Sequence, residues 1–200
     1  QVYGATETGP VSIYLRREDA MRFPGSAGEA GLHVDVRLLD EGGEDVAANE
    51  VGEICIRAPN VMSGYWAEAD NPAFQNGWFH SGDLARRDEN GFYWVVGRSK
   101  DMIISGGENI YPAELESVLA ACPDILEAAV VGRDDARWGE VAVAVVVKKP
   151  GASLSTDDVL KLFDGRLARF KHPRQVMFQY ALPKTALGKV QKAELKASLG

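Results

Sequence analysis

The residues on either side of Arg98 follow different rules, and that change limits the fold more than any other feature of the chain. Residues 1–97 hold seven Arg, no Lys and sixteen acidic side chains, a net −9, whereas 98–200 hold fifteen Lys plus Arg against thirteen acids, a net +2. The apolar spacing changes with the charge. Upstream, Val34, Val36 and Leu38 alternate with polar residues, Glu41-Gly42-Gly43-Glu44 interrupts, and Val51 to Ile56 resumes, the pattern of a β-hairpin with an extended loop. Gly64-Tyr65-Trp66 and Phe92 to Val96 read as further short strands, so 30–97 is predicted to be mostly β, as a small barrel or sandwich.

Downstream, helices alternate with strands. Pro112 suits the first position of a helix, Glu114 and Glu116 suit its positive end, and Leu115, Val118 and Leu119 form its apolar stripe. Strands are predicted from Leu126 to Val131 and from Val141 to Lys148. Ser155-Thr156-Asp157-Asp158 then caps a second helix bearing Val159, Leu162, Phe163 and Leu167. A strand from Val176 to Tyr180 and a short closing helix complete the pattern. Two domains follow, 1–97 and 98–200, the second a compact α+β unit of about 100 residues.

Composition removes several classes of function. With 46% hydrophobic residues the chain can bury a core, and its longest apolar run, Val141 to Val147, is a strand's length and too short to span a membrane. Cys55 and Cys122 lie far apart in apolar surroundings, read as buried thiols of a cytoplasmic protein, and His33, His80 and His172 are scattered without metal-ligand spacing, so no zinc site is expected. The acidic whole and the absence of aromatics interleaved with cations disfavour nucleic acid. Residues 160–200 are locally basic, and Arg166, Arg169, Lys171 and Arg174 are open to a phosphate or a peripheral membrane surface. Gln1 is not an initiator methionine, so the chain is read as a C-terminal piece of a longer protein, inactive by itself.

Four segments carry chemistry. Tyr3-Gly4-Ala5-Thr6-Glu7 joins an aromatic face, a glycine open to close backbone approach, a hydroxyl and a carboxylate; adenine, a phosphate and Mg²⁺ are partners for the ring, Thr6 and Glu7. Gly77-Trp78-Phe79-His80-Ser81-Gly82-Asp83 ends on a carboxylate that can accept both hydroxyls of a ribose. Gly97-Arg98-Ser99-Lys100-Asp101 runs into Ser105-Gly106-Gly107-Glu108-Asn109, whose glycines admit a narrow ligand. Pro183-Lys184-Thr185-Ala186-Leu187-Gly188-Lys189-Val190-Gln191-Lys192 places an ammonium on a glycine-flexed loop, with the flanking Lys184 and Lys192 read as solvated. Each string taken alone also reads as a turn.

In this order the four segments resemble the adenylate-forming family of acyl-CoA synthetases, peptide-synthetase adenylation domains and luciferases, over essentially the whole chain. The resemblance implies a β-barrel-like end of a large N-terminal domain followed by a mobile α+β domain. It implies ATP, Mg²⁺ and coenzyme A as cofactors and a small carboxylic acid as substrate, with an acyl-adenylate as intermediate. By resemblance Tyr3, Gly4, Thr6 and Glu7 contact the nucleotide and its metal, Asp83 binds the ribose, and Arg98 assists at ribose and phosphate. Lys100 serves as the hinge, Gly106 and Gly107 flank the pantetheine arm, and Lys189 stabilises charge during adenylation. His80 and Trp138 are read as structural. Overall similarity leans toward bacterial fatty acyl-CoA ligases, although the walls of the acid pocket are expected upstream of Gln1. The rival readings are an adenylation domain loading a carrier protein, and a non-catalytic nucleotide-binding module.

Overall fold

The computed structural model describes residues 1–68 and 71–199; Gly200, the last residue of the predicted second domain, lies outside them. The chain divides into two compact units, Gln1–Lys100 and Asp101–Gly200.

The first unit opens with three short strands, β1 (Val2–Tyr3), β2 (Ile13–Tyr14) and β3 (Glu29–Ala30), paired antiparallel in that order. A larger antiparallel sheet follows, made of β4 (Asp35–Leu39), β5 (Val51–Arg57), β6 (Phe74–Gln75), β7 (Trp78–Arg87) and β8 (Tyr93–Arg98). Its order is β4-β5-β7-β6, with β8 also pairing with β7. Ile13 of β2 packs with Leu38, Ile54, Ile56, Ala85 and Tyr93 in one core, so residues 1–30 share the interior of the larger sheet. The expected barrel does not form among the described residues. Because β6 and β8 use the same edge of β7, the sheet is only four strands wide, too narrow to close upon itself.

The predicted β4–β5 hairpin is present, with Asp35 opposite Arg57 and Leu39 opposite Glu53. Gly64-Tyr65-Trp66 is not a strand; Tyr65 bridges to Glu68 across a turn. The long β7 was not anticipated, because Ser81-Gly82-Asp83 at its middle has the composition of a loop.

In the second unit, β9 (Ile103–Ser105) and β10 (Glu108–Ile110) form a hairpin, followed by α1 (Pro112–Ala120), β11 (Ile125–Asp135), β12 (Gly139–Lys148), α2 (Thr156–Lys161), β13 (Gln175–Phe178) and α3 (Lys192–Ser198). Pro112 starts α1, and Ser155 caps α2 by accepting from Asp158 N–H while Asp158 reaches back to Ser155, a reciprocal pair. β12 lies between antiparallel β11 and parallel β13. Both faces of β12 are covered, which explains its unbroken apolar run. Ala142, Ala144 and Val146 meet Leu115, Leu119, Val159 and Phe163 of the α1–α2 layer; Val143, Val145 and Val147 meet Leu182 and Leu195 on the α3 side. No helix among the described residues is long and apolar enough to cross a membrane. Cys55 is a buried free thiol and Cys122 a partly buried one.

Candidate active site

The first unit carries a cleft of about 490 Å³ whose walls include Glu7, Tyr65, Ser81, Gly82 and Arg98. Beside it the structure brings three of the predicted nucleotide residues together. β1 places Tyr3 so that its hydroxyl donates to Asp83 Oδ2 at 2.8 Å, while Arg98 Nε, at the end of β8, donates to Asp83 Oδ1 at 2.6 Å. Asp83 and Arg98 face each other across the β7–β8 ladder, so residues separated by fifteen positions meet as cross-strand partners. Burial pushes the Tyr3 phenol far above its ordinary range, and the Asp83 carboxylate adds to that, so Tyr3 remains a donor. The result is a carboxylate fixed between a phenol and a guanidinium, with acceptor capacity remaining on both oxygens.

Glu7 lies on a short helical turn, Thr6–Thr8, whose end is pinned by Thr8. The buried Thr8 hydroxyl accepts from Ala5 N–H at 3.1 Å and donates to Ala5 O at 3.2 Å, and Asn60 donates to Thr8 O at 2.6 Å. Neither Thr8 nor Asn60 was singled out from the sequence; a hydroxyl three residues beyond Ala5 was the available signal for a pinned turn. Thr6 itself is exposed. Tyr65 donates to Glu7 Oε1 at 2.7 Å, and that bond holds the Glu7 carboxyl below its ordinary range. An ionised carboxylate on a cleft wall fits Mg²⁺, which is commonly held by one or two carboxylates together with substrate phosphates. Gly4 has a structural reason of its own. A Cβ there would stand 1.9 Å from Pro10 O, so the close approach that glycine permits is to the chain itself.

Lys100 lies in the short turn Ser99–Asp101, at the last residue of the first unit.

The remaining candidates belong to the second unit. Gly106 and Gly107 form the tight β9–β10 turn. A Cβ at Gly106 would come within 2.8 Å of the Trp138 ring, and Gly106 N–H donates to Trp138 O at 2.8 Å, so Trp138 and Gly106 are packed as one feature. Arg137 and Arg174 both lie over that indole, at 4.9 and 5.1 Å from its ring.

Lys189 stands on a hydrogen-bonded hairpin instead of a loose loop. Thr185 N–H donates to Lys189 O at 2.8 Å, and Gly188 N–H donates to Thr185 O at 2.9 Å. The neighbouring lysines are fastened: Lys184 pairs with Glu127, Lys192 with Glu116 at 2.7 Å and Lys196 with Glu140 at 2.7 Å. Lys184 and Lys192 are therefore ion-paired anchors, where the sequence suggested solvated flanks. Among the described residues no carboxylate pairs with Lys189, which is exposed. Of the basic quartet, Lys171 is committed to Glu114 at 2.7 Å, while Arg169 and Arg174 border a separate shallow cavity of about 560 Å³ with Asp157 and Asp164.

Two family models match: "AMP-binding enzyme" over residues 1–66 and "AMP-binding enzyme C-terminal domain" over 114–189. The chain is 51% identical over 198 residues to an indoleacetate–CoA ligase from Aromatoleum aromaticum, covering 98% of this chain and 39% of the relative. It is 40% identical over 198 residues to a long-chain-fatty-acid–CoA ligase from Mycobacterium tuberculosis, with the same two coverages, 98% and 39%. Its structure matches o-succinylbenzoate CoA synthetase from Bacillus subtilis, solved with an acyl-adenylate intermediate, at a TM-score of 0.91 and 39% identity over 98% of this chain and 40% of the other. The chain thus spans about two fifths of the length of the relatives it matches. With both family models matched in order, ligases among its relatives and an adenylate-bound enzyme superposing on its fold, the chain belongs to the adenylate-forming AMP-binding enzyme family.

Proposed function

We propose that the protein containing this chain joins a carboxylic acid to coenzyme A at the expense of ATP. In the first step the acid's carboxylate oxygen attacks the α-phosphorus and the bond to the pyrophosphate oxygen breaks, giving acyl-AMP. In the second, the coenzyme A sulfur attacks the acyl carbon, AMP departs with the bonding pair, and the thiol proton is released. The observation that carries this reading is the Tyr3–Asp83–Arg98 constellation beside the first unit's cleft.

Each residue then has a task. Asp83 accepts the ribose hydroxyls, Tyr3 and Arg98 hold it in place, and the rest of the Tyr3 ring is available to the adenine. Thr6 donates to a phosphate. Glu7 would hold Mg²⁺, which supplies charge neutralisation at the phosphates. Lys189 stabilises the negative charge that builds on the leaving oxygens, a type of contact worth about 10²- to 10³-fold in rate. Lys100 takes up the backbone rotation between the two steps, and Gly106 and Gly107 admit the pantetheine arm.

The overall similarity of motifs supports a fatty acid as substrate. The higher identity to an indoleacetate ligase, 51% against 40%, favours an aromatic acid as a second reading. Both are tested by measuring AMP release by the full-length protein with a panel of fatty and aromatic acids, with and without coenzyme A. AMP release that requires both acid and coenzyme A is expected. Acid-dependent pyrophosphate exchange that coenzyme A does not pull forward would replace this reading with carrier loading, and inactivity with every acid would favour a non-catalytic module.

A further inference from the structure

Ser81-Gly82-Asp83 is where β7 leaves its ladder. On β5, Glu53 faces Leu84 and Cys55 faces His80, so three residues of β7 stand opposite Ile54 alone. The two surplus residues make a bulge, and its peptide groups lose their partners on β5. Side chains replace them. Ser81 Oγ donates to Ile54 O at 2.7 Å and accepts from Asp83 N–H at 3.1 Å. Ser99 Oγ donates to Gly82 O at 3.3 Å, and Arg98 Nη2 donates to Ser81 O at 3.3 Å. Glu53 supplies the remaining acceptor: its Oε1 takes Gly82 N–H at 2.8 Å, with Gly82 in the left-handed region at φ 70.

The other oxygen of Glu53 lies 2.9 Å from His80 Nδ1, and the two side chains are only 27% and 22% exposed. A carboxylate accepts and does not donate, so Nδ1 carries the proton. The Cys55 sulfur is 3.4 Å from that same nitrogen. Because His80 turns one nitrogen to both neighbours, and burial pushes the Cys55 thiol up to about 12, this cluster lacks the geometry of a nucleophile and its base. It has the geometry of a strut.

We infer that Glu53, braced by His80, is a positioning residue that sets the β7 bulge and thereby aims Asp83 at the ribose. The inference rests on the reading of Asp83 as ribose ligand. Glu53 lies thirty residues before Asp83, and its side chain acts on it through the backbone of Gly82. Its loss should therefore act on recognition of the sugar, not on every substrate alike.

The test compares kcat/KM for ATP with that for 2′-deoxy-ATP and 3′-deoxy-ATP in the full-length protein. The unmodified protein should prefer ATP by about 10- to 100-fold, the worth of a hydrogen bond to a charged acceptor. Glu53→Ala should reduce that preference to within about threefold, raising KM for ATP while KM for coenzyme A stays unchanged. Glu53→Gln keeps an acceptor for Gly82 N–H and should retain the preference. If Glu53→Ala does not fold, Glu53→Asp takes its place; its carboxylate is one methylene short of Gly82 and should lose the preference too. Should Asp83→Ala abolish the preference while Glu53→Ala or Glu53→Asp keeps it, the positioning role is overturned, as it is if the KM values for ATP, the acid and coenzyme A rise together. An unmodified protein indifferent to both deoxy analogues would instead refute the ribose reading itself.

Discussion

Lys189 and Lys192, three residues apart, should fail in opposite ways when truncated. Lys189 is exposed and pairs with no carboxylate among the described residues, so Lys189→Ala breaks no ion pair among them and should change stability by no more than about 0.5 kcal/mol. If its ammonium meets charge only in the adenylation transition state, the same change should cost about 10²- to 10³-fold in rate, equivalent to roughly 2.7–4 kcal/mol of barrier. Lys192 is the reverse case. It pairs at 2.7 Å with Glu116, both side chains about a quarter exposed, and Glu116 also accepts from Val130 N–H at 2.9 Å. Lys192→Ala strands a partly buried carboxylate and should cost about 1 kcal/mol, a fall of roughly 4–8 °C in the melting of a unit this size, with little effect on rate. The assays are thermal unfolding, acid-dependent pyrophosphate release, and thioester formation from supplied acyl-AMP. Lys189→Ala should lose the first reaction and spare the second. Melting lowered by several degrees in Lys189→Ala, or adenylation within tenfold of normal, would refute the assignment.

Three further outcomes are expected. Tyr65→Phe removes the hydrogen bond that holds the Glu7 carboxyl below its ordinary value of 4.5, so Glu7 should titrate at higher pH in a carbon-13 NMR titration. Because the folded value is depressed, the stabilisation it represents is fully present above 4.5 and vanishes as pH falls through the lower folded value; identical midpoints in the two proteins would contradict this. Phe163→Ala deletes a fully buried ring between α2 and the sheet and should cost about 3–5 kcal/mol by denaturant unfolding, a loss under 1 kcal/mol being inconsistent with the packing described. Lys100→Pro limits backbone rotation and should slow thioester formation more than adenylation; an unaffected thioester step would remove Lys100 as the hinge.

Much of the second unit was legible because its signals are local. Pro112 at the start of α1, the Ser155 cap of α2 and the apolar run of β12 each act within a few residues of themselves. The first unit was less so. A small barrel or sandwich was expected, and no closed barrel forms among the described residues, since strand count can be inferred from alternation but the sharing of one edge of β7 by β6 and β8 cannot. Ser81-Gly82-Asp83 looked like a turn for a sound local reason, and only pairing with β5 and β8 makes it a bulge within a ten-residue strand. The lysines that flank Lys189 were misjudged in the same way, because Glu116 and Glu127 lie far from them in sequence.

The amino-acid sequence by itself determined which chemical groups are present and in what order: a tyrosine and carboxylate near the start, Asp83, Arg98 and Lys189, and a switch from β pattern to mixed pattern at residue 98. Propensity, capping and periodicity are short-range effects, so they can be read along the chain. Tertiary structure decided which of those groups meet. Tyr3 reaches Asp83 across eighty residues, Glu53 holds Gly82 across twenty-nine, and Lys192 is paired while Lys189 is left to the solvent. These pairings depend on strand register and packing, which are settled jointly by every strand in a sheet and by no single segment of sequence.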